Sequence, residues 1–382
     1  MTADTIAIAS EETMNIANRW TSLVTLAALI GCGDQGPVTS QIDPSLSASG
    51  RGAVSIGVMT RNLYIGADVD AVMGALVSPD QSDDLPALMV ALQTIQRTDY
   101  ATRARAIAAE IHKNRPAVVG LQEVYDLTVI PEWLGLPGDP IQIDFLAGLE
   151  AALAAEGLNY VVAARNTTTD ATLAGGAVRI IDHDVLLADA NRVTLQGPAV
   201  ATVFTWNIGF ITDGITLLRG YVARRATIDG IEVLLVNTHL ESGADPQIAG
   251  LRYYQAMELA GFIGTAPRVI LTGDLNGERG SDMYTVLASA GLTDMWAAKH
   301  PGAQGLTCCN LADLSNASST PDQRIDFIWT RGFEGPSGQV QGQVSLVSAQ
   351  PSARVIGVLG LIWPSDHAGL AADLLLPPSV LR

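Results

Sequence analysis

The sequence predicts a layered α/β fold. Short runs of β-branched and aliphatic residues alternate along the chain with longer segments of helical periodicity, which is typical of α/β and layered α+β proteins. Several short runs are apolar at nearly every position, as expected of strands covered on both faces. No short internal repeat and no long linker occurs after residue 52, so the simpler interpretation is one domain.

The individual elements follow from these patterns. The predicted strands cover residues 55–62, 117–122, 160–164, 184–187, 225–228, 232–237, 268–272, 324–329 and 371–375. The predicted helices cover residues 100–113, 143–155, 246–263 and 282–290. The last helix follows Ser281, a favourable N-cap, and stops before Gly291 in the position that commonly ends helices.

The composition argues against a protein that holds nucleic acid mainly through phosphate contacts. The chain has 382 residues, with 39 acidic and 22 basic side chains and a formal net charge of −17. Proteins that hold nucleic acid mainly through phosphate contacts need a face rich in Lys and Arg. With 48% hydrophobic and 16% charged residues the chain is globular, and three cysteines are too few for a disulfide scaffold.

The N-terminal region resembles an export signal. Residues 20–31 (WTSLVTLAALIG) are uncharged, follow Arg19 and precede Cys32. This stretch is shorter than the roughly 20 apolar residues of a membrane span and has the size of a signal-peptide core. The residues LIGC resemble a bacterial lipobox, which predicts an acylated Cys32 and an exported protein, membrane-anchored or secreted. The alternative is an apolar helix packed on the domain. The predicted segments are a signal peptide (1–31), a tether (32–52) and a folded domain (53–382).

Polar side chains repeatedly follow the buried runs. The six endings are Asn62; Glu123; His239; Asp274 with Asn276; Asp326; and Asp366 with His367. In a layered sheet such endings lie together at one edge, where they would gather oxygen ligands, amides and imidazoles for metal-assisted attack on phosphorus. A single Glu or His at a strand end is more often structural, but six endings indicate one site.

Five ordered motifs resemble the endonuclease/exonuclease/phosphatase superfamily. They are LQE at 121–123, NTHL at 237–240, GDLN at 273–276, RIDFIW at 324–329 and SDH at 365–367, and the resemblance covers about residues 53–377. The superfamily includes pancreatic-type deoxyribonucleases, abasic-site endonucleases, neutral sphingomyelinases and inositol polyphosphate 5-phosphatases. The resemblance implies a single-domain, four-layer α/β/β/α sandwich and leaves the substrate open.

The resemblance also implies a metal site. Glu123 matches the principal ligand, Asn62 matches an asparagine that assists the metal or positions phosphate, and Asp366 would complete the site. Oxygen ligands without a Cys/His cluster suit Mg²⁺, or Mn²⁺, better than Zn²⁺. Abasic-site enzymes carry an aspartate where this chain has Tyr64, and Asp68 follows only later, so the number of metals stays open.

The remaining motif residues match catalytic positions. Asp274 resembles the aspartate that orients or deprotonates the attacking water, and Asn276 resembles a donor to the phosphoryl oxygens. His367 resembles the imidazole near the reacting phosphate, with Asp326 as its carboxylate partner. His239 resembles the second imidazole, which serves the leaving group or binds phosphate. Asn62, Asn276 and His239 are therefore also expected to bind substrate.

Four other segments are interpreted from the residues alone. Neighbouring side chains on a strand face opposite ways, so His183 cannot share a face with both Asp182 and Asp184; whether either aspartate reaches the site stays open. Residues 61–96 are expected as a partly irregular, solvated insertion, with lining of the cleft as the alternative. Cys308 and Cys309 are expected as two free, buried thiols. Residues 199–220 predict a hairpin whose apolar tip is either core or a wedge for a lipid surface.

Together these features predict a Mg²⁺-dependent phosphoesterase that hydrolyses a phosphodiester by attack of activated water. Nuclease-like activity on nucleic acid and sphingomyelinase-like activity on phospholipid both fit. The alternatives are a phosphomonoesterase acting on a small or inositol phosphate, and a catalytically degenerate surface-binding lipoprotein. The acidic charge favours small, zwitterionic or weakly held substrates. Membrane contact is expected through the anchor at Cys32, and no feature indicates a protein partner.

Overall fold

The computed structural model describes residues 54–212 and 214–376. Its helices are α1 (Val69–Leu76), α2 (Asp84–Arg97), α3 (Tyr100–Asn114), α4 (Phe145–Ala155), α5 (Pro246–Ile263), α6 (Asp282–Ser289) and α7 (Met295–Lys299). Short 3₁₀ turns cover Pro131–Leu134, Ala174–Gly176 and Pro351–Ala353. The predicted signal peptide, tether and lipidated Cys32 lie outside the described residues and stay predictions.

The strands are more numerous than the sequence patterns predicted. They are β1 (Val54–Asn62), β2 (Val118–Gln122), β3 (Asp126–Val129), β4 (Ile141–Asp144), β5 (Tyr160–Arg165), β6 (Thr169–Leu173), β7 (Val178–Asp182), β8 (Val185–Asp189), β9 (Val193–Val203), β10 (Gly209–Thr212), β11 (Ile215–Leu217), β12 (Gly220–Ile228), β13 (Ile231–His239), β14 (Val269–Asp274), β15 (Thr293–Asp294), β16 (Asp326–Arg331), β17 (Gly342–Val347), β18 (Val355–Gly357), β19 (Gly360–Ile362) and β20 (Gly369–Leu376). All nine predicted strands correspond to strands in this set.

The strands form three six-stranded sheets within the described residues. The first sheet has the order β17-β20-β1-β2-β8-β5, the second β15-β16-β14-β13-β12-β9, and the third β10-β11-β6-β7-β3-β4. Strands β18 and β19 pair separately as a hairpin.

The first and second sheets pack face to face. Val58 and Val118 of the first sheet share a buried cluster with Leu235 and Ile270 of the second. Alternate residues turn to the outer faces, where the first sheet packs against α3 and α4 and the second against α5 and α6. This arrangement confirms the predicted α/β/β/α sandwich.

Helix α5 begins and ends at the predicted residues because its ends are marked in the sequence. The side chain of Asp245 accepts a hydrogen bond from the Gln247 backbone at 2.7 Å, and Pro246 occupies the first helical position. Gly264 follows the last turn with φ +48°, a left-handed value that favours glycine.

The third sheet contradicts the expectation of a solvated insertion over residues 61–96. Helices α1 and α2 lie there, and buried side chains of both helices, such as Val72 and Ala91, share a cluster with Leu127 and Val178 of the third sheet. The buried positions Leu88, Ala91 and Ile95 lie on one face of α2. Among the described residues, no helix is both long and apolar enough to cross a bilayer.

A polar contact joins the two main sheets beneath the ends of their central strands. Gln122 donates to the Asn237 side chain at 2.6 Å, and Thr272 donates to the same oxygen at 3.0 Å. Asn237 in turn donates to the backbone oxygen of Leu121 at 2.8 Å. A Cβ at Gly120 would come within 2.0 Å of the Thr272 hydroxyl, so only glycine permits this approach. The contact fixes the strand ends relative to one another.

Candidate active site

The strand ends of both main sheets converge because of strand direction. β1 runs parallel to β2 in the first sheet, and β13 runs parallel to β14 in the second, so their carboxyl ends meet at one edge. β16 and β20 run antiparallel to these strands, so their beginnings lie at the same edge. The strand register pairs His239 of β13 with Asp274 of β14, and Asp274 with Asp326 of β16. The predicted site residues are therefore brought to one place.

Asn62 links the two sheets at this edge. Its amide nitrogen donates to Glu123 at 2.9 Å and to Asp274 at 3.1 Å, while its amide oxygen accepts from the Tyr64 backbone at 2.9 Å. Asn62 is fully buried and Glu123 is half-buried. The amide therefore holds two carboxylates from different sheets at a fixed separation.

Asn276 and Glu123 adopt unusual backbone conformations. Their φ values are +48° and +55°, in the left-handed region that non-glycine residues seldom occupy. The turn brings the Asn276 backbone N–H to Asp274 at 3.0 Å and its side-chain amide to within 3.0 Å of His239 Nε2. Strained conformations of this kind recur at functional sites, where the surrounding structure enforces them.

His367 is surrounded by carboxylates. Its Nδ1 lies 2.8 Å from Asp326, and its Nε2 lies 3.8 Å from Asp274 and 3.9 Å from Asp366. Burial alone would lower the pKa of His367, but Asp326, Asp366 and Asp274 together raise it well above its usual range. Because Nδ1–H donates to Asp326, the charged ring points its second N–H toward the site.

His239 has the opposite environment. Its Nδ1 lies 3.0 Å from a guanidinium nitrogen of Arg219, and its Nε2 lies 3.7 Å from Asp274. Burial, Arg219 and His367 lower its pKa well below the usual range, so the ring is neutral. The two ring nitrogens face two donors, Arg219 at Nδ1 and the Asn276 amide at Nε2.

The carboxylates at this edge repel one another. Burial and the neighbouring Asp326 raise the pKa of Asp274 to about 7, although His367 opposes the shift. Burial also raises the pKa of Asp366 to about 6, with Glu123 adding to the shift and His367 opposing it. Excess negative charge gathered in a buried site is the condition that a divalent cation relieves.

The donors present fit a hard divalent cation. Oxygen atoms of Asp274 and Asp326 and a ring nitrogen of His367 lie within 4.8 Å of one another, and Asp326 Oδ1 is buried without a hydrogen-bond partner among the described residues. Glu123 and Asp366 offer half-buried carboxylates at the same edge. Asp68, by contrast, caps α1 by accepting from the Ala71 backbone at 3.0 Å.

Sequence reasoning missed Arg219. This side chain, 15% exposed, contacts His239, Glu241 at 3.3 Å and Asp182 at 3.9 Å. Burial would lower its pKa, but Glu241 and Asp182 raise it. The sequence did carry a signal for Arg219. The Asp229-Gly230 turn fixes the register of β12 and β13, and this register pairs Gly220, the residue after Arg219, with His239.

Asp182, His183 and Asp184 have different partners, and His183 and Asp184 lie in the connection between β7 and β8. Asp182 contacts Arg219 and so reaches the edge of the site, with a pKa raised to about 7 mainly by burial. His183 instead pairs with Asp126 at 3.2 Å and lines a pocket of about 670 Å³. Asp184 bonds to Asn166.

Two other expectations have clear outcomes. The predicted hairpin within 199–220 is present as β10 and β11, with Phe204 buried but Trp206 and Phe210 exposed by 50% and 69%. The prediction of two free, buried thiols at Cys308 and Cys309 is wrong. Their sulfur atoms are joined in a disulfide, and Cys309 is not buried.

Comparison with known proteins agrees with this geometry. The Endonuclease/Exonuclease/phosphatase family profile matches residues 92–367, well over half of the chain. A comparison with curated protein sequences gives no significant match. Members of the family generally use a divalent metal ion.

Solved structures of this family share the fold. An endonuclease/exonuclease/phosphatase from Beutenbergia cavernae DSM 12333 has a TM-score of 0.54 and 22% identity, covering 86% of this chain and 72% of that chain. A family protein from Bacteroides thetaiotaomicron has a TM-score of 0.53 and 17% identity, covering 86% and 97%. The mannosyl-6-phosphatase of Bacteroides thetaiotaomicron VPI-5482 has a TM-score of 0.50 and 16% identity, covering 84% and 100%. The chain thus belongs to the endonuclease/exonuclease/phosphatase family and is a hydrolase of phosphoester bonds.

Proposed function

We propose that the protein is a Mg²⁺-dependent phosphodiesterase that cleaves a P–O bond by in-line attack of water. One observation carries the proposal. Two buried imidazoles, His367 and His239, lie 3.8 and 3.7 Å from the same oxygen of Asp274, and their surroundings shift their pKa values in opposite directions. This places a charged donor, a neutral imidazole and a proton acceptor around one point, as phosphoryl transfer requires.

The carboxylates of Glu123 and Asp366 would hold the cation, with the Asn62 amide positioning Glu123. Oxygen donors favour Mg²⁺, with Mn²⁺ as a substitute, over softer ions. When bound, the cation polarises a phosphoryl oxygen and offsets the charge of the substrate.

Asp274 is placed to orient and deprotonate the attacking water. A raised pKa near neutrality makes this carboxylate a better base than an ordinary aspartate. The Asn276 backbone N–H and the Asn62 amide hold its two oxygens, so its orientation is fixed before substrate arrives.

The two imidazoles bind the phosphoryl group differently. His367, held by Asp326, directs a charged N–H at the oxygens where negative charge develops. His239 presents a neutral ring, and the positive charge beside it belongs to Arg219. The Asn276 side chain supplies a further donor nearby.

The surface near the site favours an amphiphilic substrate over duplex nucleic acid. The hairpin of β18 and β19 exposes Ile356, Val358 and Leu359 by 80%, 69% and 71%. Leu361 precedes His367 by six positions. Six residues of fully extended chain span about 20 Å at most, so the hairpin lies within that distance of the site. Exposed Trp206 is tied to the segment after His239, because its backbone oxygen accepts from Gln255, which in turn accepts from the Glu241 backbone. With a net charge of −17, a zwitterionic phospholipid fits better than a polyanion.

Hydrolysis of bis(p-nitrophenyl) phosphate with and without EDTA tests the reaction. We expect activity with Mg²⁺ or Mn²⁺ that EDTA abolishes. Metal-independent activity, or none across a panel of divalent ions, contradicts the proposal. Sphingomyelin vesicles, plasmid DNA and inositol phosphates compared in one Mg²⁺ assay then rank the substrates, and we expect the vesicles to rank first.

We further propose that the protein is exported and anchored through an acylated Cys32. The support is the lipobox-like sequence LIGC and the polar segment after it. Metabolic labelling with a palmitate analogue should mark the wild-type protein and not Cys32→Ser. Equal labelling of both proteins contradicts the anchor and leaves the reaction unaffected.

A further inference from the structure

Cys308 and Cys309 lie beside the imidazole ring of His367. Both sulfur atoms and a ring nitrogen of His367 lie within 4.8 Å of one another. Cys308 is 5% exposed, while Cys309 is not buried, so solutes can reach the pair from one side. The proposed reaction uses neither sulfur.

Backbone hydrogen bonds hold the cysteine segment against the SDH loop. The Ala368 N–H donates to the Thr307 oxygen at 2.8 Å, and the Asn310 N–H donates to the Asp366 oxygen at 2.8 Å. The Thr307 hydroxyl accepts from the Asp326 backbone at 3.3 Å. The contacts that position the two cysteines also position His367 and Asp326. Backbone hydrogen bonds therefore fix the cysteines close to the ring.

The chemistry of this group differs from that of the carboxylates nearby. Two thiolates and an imidazole are the ligands of thiophilic cations such as Zn²⁺ and Cd²⁺, whereas Mg²⁺ prefers oxygen. With Zn–S of about 2.3 Å and Zn–N of about 2.0 Å, tetrahedral ligand atoms lie roughly 3.5 to 3.8 Å apart. Each sulfur lies within 4.8 Å of the ring nitrogen, so the three side chains can share one ion once reduction lets the two sulfur atoms separate.

We propose that the reduced Cys308–Cys309 pair and His367 form an inhibitory site for a thiophilic divalent cation of the Zn²⁺ type. An imidazole that ligates this cation cannot face the phosphate, so hydrolysis stops. The site opens on reduction by a dithiol: the disulfide takes up two electrons and two protons, and the reductant becomes a disulfide. Metal binding then releases the two thiol protons together with the proton on the ligating nitrogen of His367. In the disulfide form the enzyme is insensitive to the cation.

Cadmium titration of the full-length protein tests the site without any hydrolysis. Thiolate-to-cadmium charge transfer absorbs in the ultraviolet, so binding is read directly. After reduction with a phosphine, Cys32→Ser, which lacks the only other thiol of the chain, should give one equivalent of this absorption. Cys308→Ser/Cys309→Ser should give none, and neither should the oxidised Cys32→Ser protein.

Inhibition provides the second measurement. In the Mg²⁺ assay, the Zn²⁺ concentration that halves activity should be at least tenfold lower for reduced Cys32→Ser than for the double variant. Cys309→Ser, a change at a position that is not buried, should behave like the double variant and guards against a folding defect. The inference is overturned if reduced Cys32→Ser gives no cadmium band, or if the double variant keeps the same zinc sensitivity. Because the band needs no turnover, it can appear even if the proposed function fails.

Discussion

His367 and His239 are a natural comparison within one site. Both rings are buried, with 5% and 4% of each residue exposed, and each lies less than 4 Å from the same oxygen of Asp274. Yet the pKa of one is raised and that of the other lowered. His367 faces Asp326 and Asp366, whereas His239 faces Arg219. The nearest charge, and not burial, determines which imidazole is charged.

The largest expected effect on activity comes from removing Asp274, which both imidazoles approach, or the charged ring of His367. Asp274→Ala and His367→Ala should each lower kcat/KM by about a thousandfold or more, since each removes a proton acceptor or a charged donor. Removing Asp274 also relieves repulsion with Asp326, so the melting temperature of that variant should stay the same or rise.

Steady-state kinetics and thermal melts check both variants. His112→Ala is the matched control, because His112 pairs with Glu156 and Arg115 on the surface, each at 2.9 Å, and its removal should leave activity unchanged. Loss of folding in both active-site variants would indicate structural roles and contradict the proposed mechanism.

A smaller effect should follow when the charge of His367 is altered and the ring is kept. In Asp326→Asn the pKa of His367 falls, so the alkaline limb of kcat/KM should move to lower pH and the rate should drop about a hundredfold. A raised histidine pKa contributes stability that is present below the unfolded value of about 6.5 and is lost as pH rises through the folded pKa. The variant should therefore lose more stability at about pH 6 than in alkali.

The pH profile and denaturant unfolding at two pH values measure these shifts. An unchanged alkaline limb in Asp326→Asn would mean that His367 does not owe its charge to this carboxylate.

Arg219 gives the smallest change in rate and the clearest change in stability. Arg219→Met leaves Glu241 and Asp182 without their countercharge, at a cost of about 3 to 5 kcal/mol in unfolding free energy. The pKa of His239 should rise, and kcat should fall about tenfold. Arg219→Lys keeps the charge and should recover most of the stability. Urea unfolding measures the free energy of both variants. Equal losses of unfolding free energy in Arg219→Met and Arg219→Lys would show that the hydrogen-bonding geometry of the guanidinium matters here more than its charge.

The two parts of the fold differ in how far the sequence predicts them. Strands such as β13 and β14 are continuous apolar runs because helices or a second sheet cover both faces, and such runs end visibly at His239 and Asp274. The third sheet has short strands with exposed positions, as in Thr169–Leu173, and leaves a weak pattern. Its packing against α1 and α2 depends on contacts distant in sequence.

The site shows the same difference. Motif residues could be located because each lies at an end of a buried run. Their charge states could not be predicted, since these depend on neighbours from other strands. Arg219 directly precedes β12. Its role becomes visible only in the folded hairpin, where the next residue, Gly220, pairs with His239 and the guanidinium contacts the ring. The proximity of Cys308 to His367 likewise arises from loop hydrogen bonds that no local pattern encodes.

The most direct test is an NMR titration of the five histidine rings in the metal-free protein, with His367→Gln and His239→Gln used to assign the signals. At about pH 7.5, where an ordinary histidine of pKa about 6.5 is mostly neutral, the ring of His367 should be charged and that of His239 neutral. His239 should stay neutral well below the usual value. Both rings titrating together near 6.5, or in the reverse order, would contradict the account of this site.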